Sequence, residues 1–130
     1  MIRYLLAFLL FALPVQAQTP MTAAEFEAYV TGRTLTFGLE GQSYGVEEFR
    51  DGRRTTWAFT QDECREGRWF PRDEQSCFVY DDFPGEEHCW IFWQGDGGLN
   101  ARFMGEGATE LYEVQKSPRP LICPGPQVGV

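Results

Sequence analysis

The sequence predicts a mainly β domain: an antiparallel meander of about eight short strands that closes into a small barrel, with one N-terminal helix. Three observations carry this reading. Apolar residues recur with period two in short runs from Thr34 to Val114. The runs are joined by turns rich in Gly, Asp and Pro, too short for a parallel crossover. A flat meander of this size would leave two unpaired edges, which closure removes.

The helix is expected over residues 23–31. Thr22 is an N-cap with Glu25 three residues on, a capping box, and Met21 and Phe26 are placed for a hydrophobic staple. Phe26, Tyr29 and Val30 share a face, and Gly32 supplies a left-handed stop. The amphipathic face is expected to pack over an open end or an edge of the sheet.

The period then changes to two. TLTFGLE (34–40) puts Leu35, Phe37 and Leu39 together, and Gly41-Gln42 turns the chain. SYGVEEFR (43–50) follows, with Tyr44, Val46 and Glu48 on one side, and Asp51-Gly52 is a two-residue hairpin signal. RRTTWAFT (53–60) groups Thr55, Trp57 and Phe59. REGRWFP (65–71), SCFVYD (76–81), HCWIFW (88–93), LNARFMG (99–105) and TELYEV (109–114) complete the set. The tail carries prolines at 118, 120, 124 and 126, which excludes an interior strand and leaves it along the surface.

The chain has 130 residues and a net charge of −8, the size of one domain. That charge argues against a nucleic-acid or anionic-membrane partner. Residues 1–17, MIRYLLAFLLFALPVQA, have the layout of a secretory signal: Arg3, an apolar stretch, Pro14, then Val15-Gln16-Ala17. Residues 18–130 then form a single exported domain, periplasmic or secreted. They contain no apolar run long enough to span a membrane, and the strands are shorter than the ~9–11 residues of a transmembrane barrel. The four cysteines fit two disulfides better than a zinc site. Cys77–Cys89 and Cys64–Cys123 are the expected pairs. Cys64–Cys77 with Cys89–Cys123 is the competing arrangement.

Chemistry is sparse. Trp57, Phe59, Trp69, Tyr80, Trp90 and Phe92 are the candidate lining of a cavity for a small apolar or amphipathic ligand. Their alternative is an ordinary aromatic core. In HCWIFW both faces are apolar: His88, Trp90 and Phe92 face one way, Cys89, Ile91 and Trp93 the other, the outer set to be covered by the helix or tail. Asp81, Asp82, Glu86 and Glu87 surround Phe83-Pro84-Gly85, but their spacing is not that of a calcium loop, so no metal site is assigned. Asp62, Glu63 and Glu66 read as solvated charge. His88, the only histidine, would need Glu47, Glu48 or another group facing it to act as an acid or base. No GxSxG or HExxH pattern is present, and neither an activity nor a cofactor is expected. Gly95-Asp96-Gly97-Gly98 precedes a strand, so it reads as a hairpin turn rather than a phosphate loop. Arg50, Arg53 and Arg54 balance neighbouring carboxylates.

The stretch GRWFPRDEQSCFVYDDFPGEEHCWIF has a Gly-x-Trp strand, a strand with cysteine and aromatics, an acidic turn and Cys-Trp. In this it resembles small secreted alphaproteobacterial domains of unknown function, in which a signal peptide precedes a helix and a β-meander. That resemblance implies export and fold, not an activity. The layout is also similar to lipocalin-like and avidin-like barrels, although Gly67-Arg68-Trp69 lies mid-chain rather than on the first strand. Two functions are expected from these readings: a non-catalytic binding module for a small molecule, or an envelope protein-interaction or inhibitor module using a patch near Trp93 and the tail.

Overall fold

The structure, a computed structural model, describes residues 18–59 and 63–123. The expected signal segment 1–17, residues 60–62 (with Asp62) and the end of the proline-rich tail, 124–130, lie outside the described residues. The described residues form helix α1 (Ala23–Val30) and eight strands: β1 (Arg33–Leu39), β2 (Gln42–Arg50), β3 (Arg54–Phe59), β4 (Arg65–Arg72), β5 (Gln75–Tyr80), β6 (His88–Gly95), β7 (Gly98–Phe103) and β8 (Glu110–Ser117). Each strand pairs antiparallel with the next, and β8 pairs with β1, so the sheet is a closed barrel.

Local chemistry explains most boundaries. The capping box at α1 is formed in both directions, Glu25 N–H donating to Thr22 Oγ1 and Thr22 N–H to Glu25 Oε1, each at 3.1 Å. Gly32 leaves the helix at φ 78°. Two turns and one strand end differ in detail from the sequence reading. Between β1 and β2 the left-handed pair is Glu40-Gly41, one residue earlier than expected, as a type I′ hairpin requires. Asp51-Gly52 does not make a two-residue loop: Arg50 pairs with Arg54, and Asp51–Arg53 form a short helical turn that closes with Gly52 and Arg53 both at positive φ. β8 runs to Ser117 rather than ending at Val114, because Ser117 pairs with Thr34 of β1. That partner exists only once the barrel has closed.

Both cysteine pairs form as preferred, Cys77–Cys89 across β5 and β6 and Cys64–Cys123 between the start of β4 and the tail. Cys77 and Cys89 are direct cross-strand neighbours. The tail is held along the barrel by Thr34 Oγ1 donating to the Arg119 carbonyl at 2.6 Å and by Leu121 N–H donating to Glu48 Oε2 at 2.9 Å.

The helix lies over one end of the barrel. Phe26 is 1% exposed and enters that end, meeting Phe49 of β2, Trp69 of β4, Phe78 of β5 and Phe92 of β6, with the Phe92 ring stacked at 4.3 Å. Tyr29 ties the helix to β8 by donating to Glu113 Oε2 at 2.7 Å. The helix therefore does not cover the outer face of β6. There Cys89 is in its disulfide, and Trp93 lies under the Arg102 guanidinium, 5.6 Å from the ring centroid. The turns at the helix end are short, whereas the connections after Phe59, Tyr80 and Phe103 leave the barrel at its other end.

Candidate functional site

The end opposite the helix holds a cavity of about 150 Å³. Its wall is built from the inward face of every second residue. Glu47 and Phe49 of β2 oppose Trp57 and Thr55 of β3, and Trp57 in turn opposes Arg65 of β4. Tyr80 opposes Gly67, and His88 opposes Phe78. Glycine is required twice in this wall by close approach. A Cβ on Gly45 would lie 2.2 Å from the Trp57 ring, and one on Gly67 would lie 2.5 Å from the Val79 carbonyl oxygen.

Five of the six candidate residues line this cavity: Trp57, Phe59, Tyr80, Trp90 and Phe92. Trp69 does not. It faces inward as alternation requires, but at the helix end, where it is 2% exposed, packed edge-on against Phe26 at 5.0 Å and covered by the Arg53 guanidinium. Trp69 is thus removed from the candidate lining: its depth along the barrel axis, rather than its face, places it under the plug.

The lining also holds residues outside the candidate set, among them Phe37, Phe49, Phe78, Tyr44, Arg65 and Glu47, the last expected only as a partner for His88. Strict alternation groups Tyr44 with the outward residues Val46 and Glu48. A bulge in β2 changes this: Phe37 pairs with Gly45 and Gly38 with Ser43, leaving Tyr44 unpaired between them. Its ring joins Trp57 at 5.9 Å and Phe59 at 5.7 Å, and these two are 5.4 Å apart. A bulge has no signature in the alternation itself. Glu47 did have one, since it shares a face with Phe49.

Glu47 is the polar centre of the cavity and is 3% exposed. The Tyr80 hydroxyl donates to its carboxylate oxygens at 3.1 and 3.3 Å. Burial pushes the carboxyl up to about 8, against the smaller opposing pull of the Thr55 and Tyr80 hydroxyls. Thr55 Oγ1 lies close enough to favour the ionised form, yet outside hydrogen-bond geometry, and it has no other partner among the described residues. Burial and the adjacent Glu47 hold the Tyr80 phenol well above its ordinary value, so it stays a neutral donor. Among the described residues no cation pairs with Glu47. Arg65 is turned to the rim, where Nε donates to Asp82 Oδ2 at 2.8 Å and the guanidinium lies over the Tyr80 and Phe83 rings. The nearest carboxylate to His88 is Glu86, at 3.7 Å, not Glu47.

Several of the other charged side chains are paired. Glu87 binds Arg72 at 2.6 Å, Arg53 binds Glu27 at 3.2 Å, and Arg50 binds Glu66. Among the described residues no group of His, Cys, Asp and Glu is gathered to hold a metal. No described helix is long and apolar enough to cross a membrane. Compared with protein-family models, curated proteins and solved structures, the chain matches none.

Proposed function

We propose that the protein is an exported, non-catalytic binding module whose barrel end takes a small apolar or amphipathic molecule. The observation that carries this is the cavity itself: a ring-walled space with a minority of polar groups, at the barrel end from which the longer connections leave. Loops gathered at one end of a rigid scaffold are where barrels place recognition. A volume of about 150 Å³ matches a benzene-sized guest.

The test is binding of benzyl alcohol, followed by the fluorescence of the wall tryptophans and by NMR. Ala101 lines the cavity and is 1% exposed, so Ala101→Leu fills it. Saturable binding that the filled variant loses, while keeping its fold, is the expected result. Binding that survives filling, or none to the wild type, overturns the proposal. The alternative interaction module draws less support. Trp93 is covered by Arg102, Phe83 and Ile122 lie on different elements, and Tyr112 and Val114, together on β8, make only a two-residue patch.

A further inference from the structure

Glu47 is a costly residue for its position. Tyr80 needs only an acceptor, which a neutral amide would supply, so what a carboxyl adds to the resting barrel is a group that can ionise, at a cost, in a buried place. What it adds is a partner for a cation brought from outside. The surroundings agree with that reading. Tyr44, Trp57 and Phe59 form a three-ring cluster, and Trp57 stands directly across the sheet from Glu47. Aromatic faces carry negative potential and attract ammonium groups, most strongly where water is excluded.

The basic groups at the rim do not oppose this. Arg65 is neutralised by Asp82, and His88 faces Glu86. The net charge of −8 draws cations toward the protein. An anionic ligand would instead have to detach Arg65 from Asp82 and then meet an acid inside. A sugar would find few hydrogen-bonding groups, since the cavity wall is mostly aromatic.

Building on the proposed cavity function, we propose that its ligands are small organic ammonium ions, the charged head held between the Glu47 carboxylate and the rings of Tyr44, Trp57 and Phe59. Binding converts Glu47 from acid to carboxylate, and the displaced proton leaves to solvent. The other titratable groups facing the cavity are Tyr44 from β2, Arg65 from β4, Tyr80 from β5 and His88 from β6.

The experiment compares choline with its uncharged isostere 3,3-dimethylbutan-1-ol by calorimetry at pH 7, in two buffers of different ionisation enthalpy. The wild type should prefer choline by about tenfold or more and release a proton on binding it. Glu47→Gln should lose that preference and the proton release, its choline affinity falling to about the level of its affinity for the alcohol. Alcohol binding as tight as choline, or choline binding indifferent to Glu47→Gln, overturns the cation proposal and leaves the cavity function standing. If neither compound binds the wild type, both proposals fall.

Discussion

A buried acid has a cost that depends on pH. The ordinary value for Glu47 is 4.5 and burial lifts it to about 8, so between these values the native chain keeps a proton that the unfolded chain has lost. Stability from this group therefore falls as pH rises through that window and levels off above it. The full penalty is on the order of a few kcal/mol. Glu47→Gln retains an acceptor for Tyr80 and has no charge to bury. Urea unfolding should scarcely separate the two proteins at pH 5, whereas at pH 8.5 the variant should be the more stable by roughly 1–3 kcal/mol. Identical pH dependence in the two would show that Glu47 is not the group that titrates. The tyrosine beside it cannot substitute, because its phenol is held well above its ordinary value.

The helix acts through one side chain more than through its length. α1 spans eight residues, too few to be stable alone, and its hold on the barrel comes from tertiary contact. Phe26 is the contact that closes the barrel end, meeting rings from four strands. Phe26→Ala should cost about 3–5 kcal/mol by leaving a void among those rings. It should also raise amide exchange across α1 in hydrogen-exchange measurements. A loss under about 1 kcal/mol would mean the helix is not a structural plug. The capping box and Gly32 made this helix readable from sequence, to within one residue at its C-terminal end. Its docking site was readable only as an end or an edge, since an amphipathic face does not say which surface it meets.

Two bridges act on the whole chain. Cys64–Cys123 encloses 59 positions and Cys77–Cys89 encloses 12. On the chain-entropy account these correspond to about 4 and about 3 kcal/mol. Replacing each pair by alanines, the long bridge should therefore cost about 1 kcal/mol more, read from urea midpoints with a common m-value. The reverse order would show that the tail strap does not restrain the unfolded chain. The long bridge also keeps the tail on the outside of β1 and β2, where Thr34 and Glu48 bind its backbone.

The parts of this molecule legible in the chain were those set by short-range physics. Alternation gave strand number and facing, so Thr55, Trp57 and Phe59 were placed together and five of the six candidate residues lie on the cavity wall. Turn residues and caps located the breaks, and strand proximity pointed to the cysteine pairs. Three things were settled only by tertiary structure. Depth along the barrel axis put Trp69 beneath the helix and Trp57 in the cavity, although both face inward. The β2 bulge turned Tyr44 to the inside against its expected phase. The environment of Glu47 came from several strands at once, and burial is a property of everything packed around a group. Periodicity reports which way a side chain points. How deep it lies, and what surrounds it there, depends on stagger between strands distant in sequence and on which end the helix closes.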